Sequence, residues 1–291
     1  MIKVGFGTVV YSEAYNYVND YIDSINNQNY DSFDMLMLDD NLSDYQHQYI
    51  DKNINKNIKW IDKVNCKSIQ ELRIKLIIES KNKGYDLLIL GDFDDTFSLD
   101  RISNFVSNFD CGFSFFYNDL YYLNENKPFF QYLPLEVDSL DYILESNFLG
   151  LSNTALNLNH IEYDFLDKIK LKKTIAFDWM LYTLILLRRK KGKKVNECKT
   201  YYRIHNQNTA GDISLSDEGL IREIDIKINH YKQLAEYNNE FKLLLEQYLI
   251  YRNSFNFHKK TLYNYSNNVN NYWWGNINTT KIRRSGNYED K

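Results

Sequence analysis

Residues 87–97, Leu87-Leu88-Ile89-Leu90-Gly91-Asp92-Phe93-Asp94-Asp95-Thr96-Phe97, run four apolar side chains straight into three carboxylates within four positions. A short continuous apolar run of this kind suits a strand buried on both faces. Unpaired carboxylates beside a core are costly, and adjacent ones repel each other. A positive partner is therefore expected where the strand ends. A hard divalent cation such as Mg2+ or Mn2+ is the simplest one, because it takes oxygen ligands and usually shares them with a phosphate. The same acids also suit a solvated turn or a helix N-cap ahead of Ser98-Leu99-Asp100.

The flanking sequence gives this stretch its setting. Ile2 to Val10 reads as a strand, with Gly5 and Gly7 permitting close backbone approach. Ser12 to Asn26 reads as a helix capped by Ser12, with Tyr17, Val18, Tyr21, Ile22 and Ile25 on one face. Phe33 to Leu38 is a second strand, ending in Asp39-Asp40, and Asn57 to Asp62 a third. Ser68 to Lys83 has helical periodicity and stops at Gly84. Strands alternating with helices predict a mostly parallel sheet covered on both faces. Ligands of such sheets bind beyond the carboxyl ends of the strands, where both acidic groups would lie.

After Asp100 the pattern is less regular. Cys111 to Tyr117 and Phe129 to Leu135 read as strands of a mixed sheet. Thr174 to Arg189 reads as a helix carrying Asp178 and Trp179 near its start, and Lys194 to Ile204 as a strand. Ser216 to about Tyr265 is helical in pattern. The Asn-rich tail is expected to be ordered where Trp273 and Trp274 dock.

Bulk properties narrow the class. A chain of 291 residues fits one large domain, or one domain plus an appendage, at roughly 100–200 residues per domain. The formal net charge of −4 argues against a general nucleic-acid binder, which carries a basic face. Cys66, Cys111 and Cys198 are odd in number and lack zinc spacing, which suits free thiols in a reducing cytoplasm. The first residues lack a signal-peptide pattern, and no run approaches the ~20 apolar residues of a membrane span. The expected location is cytoplasmic, with contact to the inner face of a membrane left open.

Four stretches, in order, resemble a known family. They are GFGTVVYSEAY (5–15), LMLDDNLSD (36–44), LGDFDD (90–95), and IAFDWMLYTLILLRRKKGKK (175–194) followed by YYRIHNQNTAG (201–211). Together they are similar to glycosyltransferases of the GT-A fold, in the large family 2 group of inverting enzymes. The last pair is similar to rhamnosyltransferase-like members. The resemblance spans roughly residues 1–211. It implies an α/β fold with a Rossmann-like mixed sheet flanked by helices. A catalytic domain would cover 1–215 and a helical C-terminal appendage with a polar tail 216–291. The implied activity is metal-dependent transfer of a sugar from a UDP- or dTDP-linked donor to a glycan or lipid-linked saccharide. Synthesis of a bacterial surface polysaccharide is the implied setting.

The resemblance also implies roles. Asp39 would contact the nucleobase, and Thr8 and Glu13 would line the nucleotide pocket. Asp92 would lie near ribose and metal, and Asp94 would ligate the Mn2+ or Mg2+. Asp95 would support a ligand or bond the donor sugar. Arg73 stands where the family has an Arg-Asn pair near the diphosphate, but Ile74 replaces the Asn. Asp178 is the implied general base, and a carboxylate opening a helix also suits the helix dipole. His205 would complete the metal shell or touch the diphosphate, and Arg203 would pair with phosphate. The run Lys281-Ile282-Arg283-Arg284 near Trp273-Trp274 is a candidate contact with an anionic membrane. The appendage is a candidate for the acceptor side or a homodimer contact.

Two other classes compete. GDFDDTF also matches the haloacid-dehalogenase phosphatase pattern, with Asp92 as nucleophile and Gly211-Asp212 with Asp217 as a later acidic motif. That pattern leaves the strand-end acids of the first ninety residues unexplained, and Gly211-Asp212 follows a polar stretch. A degenerate, non-catalytic transferase domain is the third class.

Overall fold

The computed structural model describes residues 2–63, 65–205, 215–266 and 268–279. The chain divides into two compact units. One comprises Met1–Ser139, Leu149–Leu171 and Leu184–Ile204; the other comprises Leu140–Phe148, Lys172–Thr183 and His205–Lys291.

The first unit is built on one mixed sheet. Strands β1 (Val4–Tyr11), β2 (Phe33–Asp40), β3 (Asn57–Asp62) and β4 (Leu87–Leu90) run parallel in the order β3-β2-β1-β4. Beyond β4 lie β8 (Thr154–Asn157), β6 (Phe115–Tyr122), β9 (Gly192–Tyr202) and β5 (Thr96–Phe97), with β7 (Glu136–Val137) also on β9. Strand β8 is antiparallel to both β4 and β6, which makes the sheet mixed. Strand order reverses between β1 and β4, so the crevice beyond their carboxyl ends is the expected ligand position.

Local sequence explains the parallel half. Strand β4 is buried throughout, as its unbroken apolar run requires. On β1, a Cβ at Gly5 would lie 2.6 Å from Leu36 Cδ1, and one at Gly7 2.8 Å from Leu88 Cδ1. Those two glycines let the flanking strands' leucines fold over β1. Val4, Phe6 and Val10 join the core with Tyr21, Ile22 and Ile25 of helix α1 (Val18–Asn26). Helix α2 (Asp44–Asn53) opens with a capping box between Ser43 and Gln46. Helix α3 (Ile69–Asn82) is capped by Ser68, whose hydroxyl accepts from the Glu71 N–H, and is followed by Gly84 at φ +74°.

Several sequence expectations need correction. Ser12 does not cap a helix; residues Ser12–Tyr17 form a 3₁₀ turn, and the Ser12 hydroxyl donates to the Asn41 carbonyl at 3.0 Å. The strand expected at 111–117 begins only at Phe115, because Asp110 folds the preceding residues into a turn through Gly112 N–H. The strand expected at 129–135 is absent among the described residues; Glu136–Val137 pairs with β9, and Pro128 makes an isolated bridge to Tyr121. Pro128 and Pro134 bracket that stretch and remove two donors from any ladder. Strand β9 starts at Gly192, earlier than expected. Helix α4 (Arg101–Ser107), helix α5 (Tyr163–Lys170) and strand β8 were not expected.

In the second unit, the helical pattern after Ser216 resolves into α7 (Asp217–Leu234), α8 (Asn239–Asn253) and α9 (Phe255–Tyr265). The unit also takes up the start of α6 (Phe177–Leu187) and the segment 140–148. Trp273 is buried, and its carbonyl accepts from Asn147 N–H at 2.9 Å. Tyr272 lies beside Phe148, ring centroids 4.9 Å apart. The basic run 281–284 and the Gly211-Asp212 pair lie outside the described residues.

His230 of α7 is stacked on Trp179 of α6, 4.0 Å between ring centroids and 12° between planes. It is buried, and neither ring nitrogen has a hydrogen-bond partner among the described residues. Burial, reinforced by Lys227, pushes its pKa down to about 3. The folded state therefore refuses a proton that the unfolded chain accepts near pH 6.5. Stability should be full above about pH 6.5 and fall as the pH drops toward 3, by roughly 2 kcal/mol at pH 5 from this group. Urea unfolding of the chain and of His230→Phe at pH 7.5 and 5 should show a smaller acid loss in the variant. Equal losses would mean that His230 does not carry the effect.

Candidate functional site

The acid turn leaves β4 at Gly91, whose N–H donates to the Gly7 carbonyl at 3.1 Å and so holds the turn against β1. A Cβ at Gly91 would lie 2.5 Å from both Phe6 and Phe97, so this position needs glycine. Asp92 is partly exposed, whereas Asp94 and Asp95 are buried. Ser152 ties the turn together. Its hydroxyl accepts from Asp92 N–H at 3.2 Å and donates to the Asp95 carboxylate. Asp95 also accepts from Arg203 N–H at 2.8 Å. Burial pushes the Asp95 carboxyl well above the usual range, and the charges of Asp94 and Asp92 push it further. Asp95 is thus fixed by the protein, while Asp92 is the most accessible acid of the turn.

Guanidinium groups supply the positive charge that the sequence demanded. Arg73 of α3 places Nη2 3.8 Å from Asp92 Oδ1. Arg203 donates from Nε to the Asp94 carbonyl at 2.8 Å and from Nη2 to Asp20 at 2.6 Å, with its guanidinium 4.3 Å from the Tyr17 ring centroid. Expected as a phosphate ligand, Arg203 is here largely committed to the turn and to α1. Arg101, which the sequence did not single out, is fully buried next to the turn. Thr8, Arg73, Asp92 and Leu151 line one narrow cleft. Tyr11, at the end of β1, also borders the acids. Burial raises its pKa, and Asp94, Asp92 and Asp95 add to the rise.

Asp39 lies at the end of β2, on the other side of β1. Its Oδ1 accepts from Leu42 N–H at 2.8 Å, and its Oδ2 lies 3.3 Å from His47 Nε2. His47 in turn lies over Trp60, with centroids 3.7 Å apart. Glu13 is exposed on the 3₁₀ turn.

Asp178 opens α6 in the second unit. It is half-buried, and its Oδ1 accepts from Trp179 N–H at 2.8 Å. Trp179 is fully buried and donates from its indole N–H to the Ile143 carbonyl at 2.7 Å. Asn229 of α7 binds the approach to α6 through Ile175 N–H (3.0 Å) and the Lys173 carbonyl (3.0 Å). Asp178 therefore sits on a firmly anchored helix start. His205, two residues after Arg203, is assigned to the second unit.

Among the described residues no three His, Cys, Asp or Glu side chains converge as a ligand set. Asp92 and Asp94 nevertheless suit a hard cation that takes one or two carboxylates and completes its shell with water and substrate phosphate. The residues fit an ion shared with a ligand rather than one caged by the protein.

No protein-family model matches the chain, and no curated protein matches its sequence. Among solved structures, S. aureus TarS 1–349 in complex with UDP-GlcNAc is similar at TM-score 0.55 and 16% identity, over 82% of this chain and 72% of that one. The UDP complex of TarS 1–349 reaches TM-score 0.58 at 13% identity, over 90% and 75%. The mannosyltransferase PcManGT from Pyrobaculum calidifontis, in complex with GDP-Man and Mn2+, reaches 0.55 at 11% identity, over 86% and 69%. The fold is GT-A, as the motif order implied. No described helix is long and apolar enough to cross a membrane.

Proposed function

We propose that this GT-A chain is a glycosyltransferase that moves a sugar, with inversion, from a UDP- or dTDP-linked donor to a saccharide or lipid-linked acceptor. Synthesis of a bacterial surface polysaccharide is the setting proposed for it. The observation that carries the proposal is the acid turn at the carboxyl end of β4, where strand order reverses. Structural neighbours of the same fold were solved with UDP-GlcNAc, UDP, and GDP-Man with Mn2+.

In this reading Asp92 and Asp94 hold a Mn2+ or Mg2+ ion, which when bound offsets charge on the departing diphosphate. Thr8, Asp39 and Arg73 hold the nucleotide. Asp95 braces the turn through Ser152 and Arg203, and His205 and Glu13 are further candidate contacts of the donor or its ion. Asp178 takes the proton from the acceptor hydroxyl as that oxygen attacks the anomeric carbon, and the bond to the diphosphate breaks.

A thermal-shift screen of UDP-, dTDP-, GDP- and CMP-sugars with and without Mn2+ tests donor binding. The matching donor at 100 times its Kd should add about 2.7 kcal/mol of stability. Asp94→Ala should abolish the Mn2+-dependent part of that gain while leaving the unliganded melting temperature near wild type. An unchanged Mn2+-dependent gain in that variant would remove Asp94 from the site. Rapid phosphate release from a small phosphate ester would favour the phosphatase class instead.

A further inference from the structure

A second groove meets the acid turn at Thr96 and shares none of its lining with the Thr8–Arg73 cleft. Helix α1, strand β5, the turn after β6 and the end of β9 border it. Its volume is about 480 Å3, within the roughly 300–1,000 Å3 of small-molecule sites. The borders are tied to one another. Buried Gln28, just past α1, donates to the carbonyls of Ser24 (2.9 Å) and Ser98 (2.8 Å) and accepts from Ile102 N–H at 3.1 Å. Leu123 N–H donates to the Tyr202 carbonyl at 3.1 Å. Arg203 joins α1 to the acid turn through Asp20 and the Asp94 carbonyl. A groove held in this way needs little ordering when a ligand arrives.

The lining selects among ligand classes. Asp20 and Asp23 lie three positions apart on α1, and both repel a phosphate or carboxylate. Arg203, the one cation among the described lining residues, is already engaged by Asp20 and the Asp94 carbonyl. A cationic ligand fares little better. Asp20 is neutralised by Arg203 at 2.6 Å, and Asp23, with no ion pair among the described residues, is a single exposed charge. What remains suits a neutral polyol. The Asp23 carboxylate accepts hydrogen bonds, and the amides of Asn27 and Asn124 both donate and accept. Leu99, Leu123 and the Tyr201 ring add apolar surface. Tyr121 steadies that ring edge-on, with centroids 6.4 Å apart and planes at 68°. Sugar rings carry hydroxyls at the rim and C–H groups on their faces, which matches this mixture.

We propose that the groove is a second carbohydrate site, which takes a neutral oligosaccharide apart from the donor cleft. It would keep a glycan chain beside the acid turn between transfers. The binding itself stands independently of the transferase reading.

Saturation-transfer NMR on the full chain tests the site. The probes are tetrasaccharides of glucose, N-acetylglucosamine, mannose, galactose and rhamnose, with spermine and inorganic phosphate as competitors. At least one tetrasaccharide should bind, and neither competitor should displace it. Asp23→Ala should weaken that binding about tenfold, the usual worth of a hydrogen bond to a charged group, and Asn124→Ala about fivefold. Tyr201→Ala should abolish it, and Tyr201→Phe should keep it. Tyr201 pairs with Thr96 in the sheet, so the exposed positions 23 and 124 carry the test if Tyr201→Ala fails to fold. Failure of every tetrasaccharide to bind at millimolar concentration would overturn the proposal. Binding that the Asp23 and Asn124 variants leave unchanged would overturn it as well, by placing the sugar elsewhere. Displacement by spermine or phosphate would make the groove an ionic site and sink the carbohydrate assignment.

Discussion

Asp178→Asn should leave donor affinity near wild type and lower turnover by roughly 10²–10⁴-fold, the usual cost of removing a general base. Asparagine retains the oxygen that accepts from Trp179 N–H, so the helix start should keep its geometry. The first turn of α6 is also held by the Trp179 indole, the His230 stack and Asn229, none of which involves the carboxylate. Loss of charge at a helix N-terminus costs about 0.3–1 kcal/mol, so the melting temperature should fall only slightly. These expectations separate two roles for Asp178. If its carboxylate serves only the helix dipole, the variant should lose a little stability and almost no turnover. If it is the base, turnover collapses while calorimetry still shows the donor bound. One base facing the acceptor permits a single displacement, so the anomeric coupling constant of the product should show inversion. Retained configuration, or near-normal turnover in the variant, would sink the assignment.

The parts of the fold legible in the sequence are those whose information is local. Strand β4 announces itself by four apolar residues, α3 by Ser68 at one end and Gly84 beyond the other, and the acid turn by its composition. The short strands were not legible, because strand β8 owes its identity to its neighbours β4 and β6 rather than to its own four residues. Pro128 and Pro134 should have counted more heavily against a strand at 129–135. At the site, Asp92, Asp94 and Asp95 could be singled out, but not their partners. Arg101 opens a short helix and reads as an ordinary surface arginine. Its burial comes from Phe105, one helical turn on, and from Phe6 and Phe97, which no spacing rule connects to it. Ser152 lies in a stretch with no chemical signature, yet it bridges Asp92 and Asp95, 60 and 57 positions upstream. The positive charge predicted from the turn is therefore present in the chain itself as guanidinium groups. That finding weakens the case for a resident ion and favours one that arrives with a ligand.

The second unit depends on a buried ionic network that the sequence concealed within ordinary helical periodicity. Lys227 of α7 has no exposed side-chain surface. Its Nζ lies 3.2 Å from Glu223 Oε1 and donates to Tyr248 OH at 3.1 Å and to the Ile277 carbonyl. Glu223 accepts from Ile277 N–H at 2.7 Å and Asn276 N–H at 3.3 Å. Glu145 accepts from Tyr248 OH at 2.7 Å and from both Thr279 N–H and its hydroxyl. The backbone of 276–279 is thus pinned to α7, α8 and the segment 140–148, which also supplies the carbonyl that orients Trp179 beside Asp178. Lys227→Met should cost about 3–5 kcal/mol, because it leaves the Glu223 carboxylate buried without its counter-ion. The double variant Glu223→Gln with Lys227→Met removes both charges, and the glutamine oxygen can still accept from Ile277 N–H. It should recover more than half of that loss, since a neutral pair escapes the penalty of one unpaired ion. Urea unfolding followed by tryptophan fluorescence measures both. A Lys227→Met loss below about 1 kcal/mol would show that the pair is not energetically coupled to the fold. A double variant as unstable as the single one would place the cost in the lost Ile277 contact rather than in the stranded charge.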